Sequence, residues 1–295
     1  MATFAEEVRA SMVRLLFGAG IVWGICCQPA VARVYLFENI TDLPLGPGGG
    51  RGAEVNDNGD IAFLNDGAVW FYDRSEGSFL DVTALPGAPE NPFFLKLNNS
   101  GNIAMMETPS TTRDYWFFEQ ETQTFTNVST LPNFPGNSLT NFGGTAFDLN
   151  DNDKMSLHSG DNNVGDIYVY DYPTGNFEQI TDKLGAPFRG RENEINNLDQ
   201  VLYMGFPSTY LFDPATGTTT NINTLPGGPG SAITNLDLND LGDVALMSGS
   251  VAQFYDATTS EFLDVTAAPD WVPDIFVSSR SDLSNSGEIT FWREG

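Results

Sequence analysis

The sequence predicts an all-β chain, a six-bladed β-propeller of four-stranded antiparallel blades, on three observations. A short sequence unit recurs six times, its copies 42, 52, 46, 43 and 45 residues apart. Each copy carries strand-like apolar runs separated by turn residues. The unit is also cut at both ends of the chain, so that the two fragments add up to one whole copy.

The first element of the unit reads VNDNGDIAF from Val55, LNNSGNIAM from Leu97, LNDNDKMSL from Leu149, INNLDQVLY from Ile195, LNDLGDVAL from Leu238 and LSNSGEITF from Leu283. Its second position is Asn56, Asn98, Asn150, Asn196, Asn239 and Ser284. The Asn-Gly or Ser-Gly steps supply the positive φ of a tight hairpin. The run that follows, such as Ile61-Ala62-Phe63-Leu64, is apolar at consecutive positions, which marks a strand buried on both faces. A second element, aromatic-aromatic-acid, follows as Trp70 to Asp73, Trp116 to Glu119, Tyr168 to Asp171 and Tyr210 to Asp213. It leads into turns such as Asp213-Pro214-Ala215-Thr216-Gly217, where the acid bonds the backbone two residues on and Gly takes the left-handed position. A third element, FLDVTALPG from Phe79 and its equivalents, completes four short strands, the size of one blade.

The ends predict closure. Tyr35-Leu36-Phe37-Glu38 and the stretch from Ile40 are the second and third elements, whereas the last residues, up to Trp292, hold only the first. Joined in one blade they leave no raw strand edge.

Before Tyr35 the chain reads as an address. Arg14 precedes an apolar run, Leu15 to Cys27, and then Ala30-Val31-Ala32. That order predicts a secretory signal peptide over 1–32, cleaved after Ala32, with translation starting at Met1 or Met12 and a mature domain at 33–295. A lipid anchor on Cys26 or Cys27 is the competing reading. Cleavage removes both cysteines, so no disulfide framework is expected, and no membrane span in the mature chain. The net charge of −26, with only 13 Lys and Arg, excludes a nucleic-acid partner. A hydrophobic fraction of 41% excludes a disordered chain.

The string Asn56-Asp57-Asn58-Gly59-Asp60-Ile61-Ala62-Phe63 resembles, letter for letter, the repeat of the bacterial "choice-of-anchor tandem repeat NxxGxxAF" proteins. Asn98/Gly101/Ala104 and Asn239/Gly242/Ala245 keep three of its four letters, while Asp153 and Asp199 stand where the repeat has Gly. The resemblance covers nearly all of the chain after residue 32. It implies an exported bacterial repeat protein, and it implies no particular activity.

Candidate sites follow from register. Two residues before the repeat Asn or Ser stand Glu54, Lys96, Asp148, Glu194, Asp237 and Asp282. On the expected innermost strand, the five acids Glu54, Asp148, Glu194, Asp237 and Asp282 are candidate oxygen ligands for Ca2+. The alternative is that each bonds backbone N–H groups of a neighbouring blade, with Lys96 as counter-charge. The turns at 56–60 and 150–154 look like pieces of calcium loops but lack the full ligand spacing. Arg51, Arg189, Arg191 and Arg280 precede the same strand and are candidates for an anionic ligand, or for ion pairs with the surplus acids. Trp271 is a candidate sugar platform or a plug between blades. His158, the sole histidine, occupies the slot of Leu64, Met106, Met204 and Met247 and reads as a core residue. The expected function is a non-catalytic module that binds a glycan, matrix component or protein. The alternative is a propeller hydrolase or lyase using channel carboxylates with Ca2+.

Overall fold

The computed structural model describes residues 43, 46–107, 114–135, 147–161, 164–181, 190–205, 208–230, 233, 235–248, 251–267, 281–287 and 289–291. The signal-peptide region, the N-terminal half of the expected shared blade, Arg189, Trp271 and Arg280 lie outside the described residues.

The described chain is all-β, with short 3-10 turns. The first sheet holds β1 (Arg51–Val55), β2 (Ile61–Asn65), β3 (Ala68–Asp73) and β4 (Ser78–Asp81). The second holds β5 (Pro92–Leu97), β6 (Ile103–Glu107), β7 (Asp114–Glu119) and β8 (Thr124–Asn127). The third holds β9 (Phe147–Leu149), β10 (Lys154–Asp161), β11 (Val164–Asp171) and β12 (Asn176–Gln179). The fourth holds β13 (Gly190–Ile195), β14 (Val201–Gly205), β15 (Thr209–Asp213) and β16 (Thr218–Asn221). The fifth holds β17 (Asn235–Leu238), β18 (Val244–Ser248), β19 (Val251–Asp256) and β20 (Glu261–Asp264), and β21 (Ser281–Leu283) pairs with β22 (Ile289–Phe291) in a sixth. Every sheet is an antiparallel meander with strands in chain order.

The repeat turn has a defined form. Asn56 N–H donates to the Asp60 carbonyl at 3.1 Å, and Gly59 N–H to the Asn56 carbonyl at 2.9 Å. Of the turn residues only the fourth takes a positive φ: Gly59 (80°), Gly101 (80°), Gly242 (82°) and Gly287 (76°). The hairpin is thus a turn followed by one left-handed residue, not the doubly positive turn that an Asn-Gly step also allows. Asp153 (58°) and Asp199 (60°) hold that same conformation, which costs a residue with a Cβ about 1–2 kcal/mol. Their carboxylates offset this by hydrogen bonds described below.

Packing explains the unbroken apolar runs. Ala62 and Leu64 of β2 face the second sheet and pack with Leu95, Ile103, Met105 and Phe118. On β6 the adjacent residues Ala104 and Met106 face the third sheet instead, against Phe147, Leu149, Met155 and Leu157. Equivalent cores join the third sheet to the fourth and the fourth to the fifth. β6, β10, β14 and β18 each lie between two sheets, and the apolar residues of β6 bury both of its faces, as the sequence predicts. The third element closes three of these joints: Val82, Val128 and Ile222, in 3-10 turns after the fourth strands, are fully buried.

Candidate functional site

The first strands of successive sheets lie side by side, and the recurrent position two residues before the repeat Asn gathers there. Lys96 Nζ stands 3.3 Å from Asp148 Oδ1 and 4.0 Å from Glu54 Oε1. The carboxylates reach forward to the next sheet. Asp148 Oδ2 accepts the Ile195 N–H at 3.0 Å, and Glu194 Oε2 accepts the Leu238 N–H at 2.8 Å. Asp237 accepts the same Leu238 N–H at 2.9 Å on Oδ1 and the Leu283 N–H on Oδ2. Each of these three acids therefore holds the amide that follows the corresponding acid in the next sheet. Asp282 lies in β21, but its side chain is outside the described residues.

The crowding of like charges is visible in the titration of the set. Burial and the Asp237 and Asp148 carboxylates push the Glu194 carboxyl well above the usual range, Lys96 offsetting only part of this. Glu194 and Asp237 both accept the Leu238 N–H, which brings the two carboxyl groups close together. The Asp148 and Glu54 carboxylates hold the Lys96 ammonium well above the usual lysine range, against the cost of burying it. Among the described residues, no group of three or more His, Cys, Asp or Glu side chains stands where it could hold a metal ion.

One layer away, the repeat Asn performs one task in five sheets. Its Oδ1 accepts two amides of its own turn: for Asn150, those of Asn152 and Lys154, both at 3.0 Å. Its Nδ2 donates to the backbone carbonyl of the next sheet's equivalent residue. The links run Asn56 to Asn98 (3.1 Å), Asn98 to Asn150 (3.1 Å), Asn150 to Asn196 (2.9 Å), Asn196 to Asn239 (2.9 Å) and Asn239 to Ser284 (3.2 Å). The left-handed aspartates join this layer. Asp153 accepts from Asn98 and Asn102 of the preceding sheet at 2.8 and 2.7 Å. Asp199 accepts from Asn150 at 2.8 Å and from Lys154 at 2.7 Å. Burial works against the Asp199 charge, but these bonds prevail and hold its carboxyl below the usual range.

The residue after the repeat Asn forms a further series, one that the sequence analysis passed over. It is Asp57, Asn99, Asp151, Asn197, Asp240 and Asn285, in strict alternation. Asn99 Nδ2 donates to Asp57 and to Asp151, each at 2.8 Å. Asn197 Nδ2 does the same to Asp151 (2.7 Å) and Asp240 (2.9 Å), and Asn285 Nδ2 donates to Asp240 (2.6 Å). Each backbone N–H of the series, from Asp57 to Asp240, also donates to the side-chain oxygen of the next member at 2.7 or 2.8 Å. The amide has two N–H groups to give and the carboxylate only lone pairs, so the pattern works only when the two types alternate. Aligning the copies would have shown it.

The other candidates are placed as follows. Arg51, exposed at the start of β1, lies over the Phe93 ring of the second sheet, 5.6 Å from its centroid. Arg191 falls within β13, its side chain outside the described residues. His158 is 2% exposed, a core residue as its register predicts. Burial lowers its pKa to about 4, the nearby Asp166 opposing the shift.

Known proteins of this architecture are recognisable by structure only. No protein-family model and no curated protein sequence matches the chain. Among solved structures, it is similar to an oligogalacturonate lyase in complex with manganese, with a TM-score of 0.51 and 11% identity over 72% of this chain and 64% of that one. It is similar also to virginiamycin B lyase from Staphylococcus aureus, with a TM-score of 0.50 and 12% identity over 82% and 76%. A further match is TolB from Acinetobacter baumannii, with a TM-score of 0.45 and 16% identity over 67% and 48%. The chain thus spans less than two thirds of the lyase solved with manganese and of TolB. Likeness at this identity is likeness of fold, and the fold it supports is a β-propeller.

Proposed function

We propose that this chain is an exported, non-catalytic binding propeller of six blades, whose loops engage an extracellular glycan, matrix component or protein. One observation carries the reading. The polar side chains that recur in sheet after sheet are committed to the neighbouring sheet: the acids to backbone amides and Lys96, the asparagines to carbonyls, the alternating series to itself. Repetition here builds a frame. The sole histidine sits in a core, so the frame brings no acid–base pair together with it.

Six blades and a closed ring are part of the proposal. An alternation of Asp and Asn closes on itself only with an even number of members, and six satisfies this. Closure would set Asn285 against Asp57. Val55 is 68% exposed, whereas its equivalents Leu149 and Ile195, at 7% and 5%, insert into the core of the preceding sheet; a sixth blade would cover Val55 in the same way. Export rests on the basic, apolar and Ala-x-Ala order of residues 1–32 and on the resemblance to the NxxGxxAF repeat proteins. Among the described residues no helix is long and apolar enough to cross a membrane.

Two experiments test the reading. Residues 33–295 on a glycan array, with Trp271→Ala as comparison, should yield a ligand that the variant loses; an entirely blank array redirects the search to a protein partner. Melting in millimolar Ca2+ should leave the midpoint unchanged. A large upward shift would instead favour Ca2+ on Glu54, Asp148, Glu194, Asp237 and Asp282, and with it the hydrolase or lyase reading. Closure has its own test. In residues 33–295, otherwise free of cysteine, Asp57→Cys with Asn285→Cys should form a disulfide under mild oxidation. An open stack would leave both thiols titratable.

A further inference from the structure

The joint between the third and fourth sheets differs in kind from the first, second and fourth joints. Four register positions line every joint: the sixth and eighth residues after the repeat Asn on one sheet, and the third before and seventh after it on the next. In the first joint they are Ala62, Leu64, Leu95 and Met105. In the second they are Ala104, Met106, Phe147 and Leu157, and in the fourth Leu202, Met204, Leu236 and Leu246. All twelve are apolar. In the third joint the same positions hold Ser156, His158, Asn193 and Tyr203.

The register places these four together. Ser156 lies opposite Val169 and His158 opposite Ile167, and residues opposite one another in neighbouring strands share a face. Ile167 and Val169 pack with Ile195, Val201 and Tyr203 of the fourth sheet, and Asn193 lies opposite Tyr203. None of the four is more than 2% exposed. Ser156 Oγ, His158 Nε2 and both Asn193 amide atoms have no hydrogen-bond partner among the protein groups. Buried polar atoms are rarely left so, and several turned toward one apolar joint meet the requirement of an internal water, about two to four polar partners.

We infer that the joint between the third and fourth sheets is a built hydration site, holding ordered water on Ser156, His158 and Asn193. The ligand is water and not an ion, because the four side chains supply neutral donors and acceptors and no full charge. The site makes this joint a wet seam between two dry ones, the second joint and the fourth.

The test counts long-lived internal waters by oxygen-17 relaxation dispersion in residues 33–295. The variant Ser156→Ala, His158→Met, Asn193→Leu gives three of the four positions of the third joint residue types found in the first, second and fourth joints. It should lose at least one long-lived water relative to the parent, and an unchanged count overturns the site. Should that variant fail to fold, the parent alone decides. The His158 ring protons and the Asn193 amide protons should show cross-relaxation to water of nanosecond or longer residence. Sharp signals from both side chains with no such transfer would mean a dry joint.

Discussion

Acid should loosen this protein through His158 before it reaches most of the carboxylates. In the folded chain the imidazole, 2% exposed between two sheets, has a pKa of about 4 instead of the ordinary 6.5. The unfolded chain therefore binds the proton more tightly. The stability this represents is intact above pH 6.5 and is lost as pH falls through about 4. The gap is worth about 3 kcal/mol in full, of which about 2 kcal/mol is gone by pH 5, where ordinary carboxylates are still largely ionised. Urea unfolding of the parent and of His158→Met at pH 7 and pH 5 isolates the effect, since methionine fills the equivalent slot in three other sheets. The parent should lose about 2 kcal/mol more than the variant between the two pH values. Equal losses would refute the reasoning, as would an NMR titration of this lone imidazole with a midpoint near 6.5.

Three more outcomes are expected. Asn150→Ala removes the acceptor of two turn amides and the donor to the fourth sheet at a buried position, and should cost about 3 kcal/mol in urea unfolding. Asn99→Asp sets three carboxylates in a row in a half-exposed series; it should cost about 2 kcal/mol at low salt and less at high salt. Adding Asp57→Asn and Asp151→Asn restores donors on both sides but sets two amides side by side at 151 and 197, so it should recover part of the loss. Glu194→Gln keeps a donor for Asp237 and an acceptor for Leu238. Because the folded Glu194 pKa is raised, its contribution is present in acid and lost as pH rises, so the variant should gain on the parent at pH 8 and not at pH 4 in thermal melts.

The sheets were legible because their causes are local: Asn-Gly steps, consecutive apolar residues between them, and an acid two residues before each Asn. The fate of the acids was legible only as a pair of alternatives, since a carboxylate that binds a cation and one that binds a backbone N–H look alike along a chain. The amide bonds of Asp148 and Glu194 are visible only in three dimensions, for the N–H groups of Ile195 and Leu238 are supplied by the neighbouring sheet and have no signature in the sequence. The Asp57 to Asn285 alternation was in plain view, but it is a relation between copies and does not show within any one of them. Ser156 and Asn193 stood out even less. Their departure from the apolar pattern acquires meaning only when two strands from different sheets turn them toward the same joint.

The bonds of the repeat asparagines have a direction. Oδ1 closes the residue's own turn, helped in Asn56, Asn196 and Asn239 by one Nδ2 hydrogen, while in all five Nδ2 also donates to the sheet that follows and never to the one before. A turn can therefore set itself using nearby residues and then present a fixed donor to a repeat that has yet to arrive. A chain threaded through an export channel from its N-terminus would meet these donors in the order in which they are needed. Each of the five links closes a loop of 42 to 52 residues, a modest entropic step. The repeat asparagine is thus a staple with a direction, and that direction is the direction of the chain.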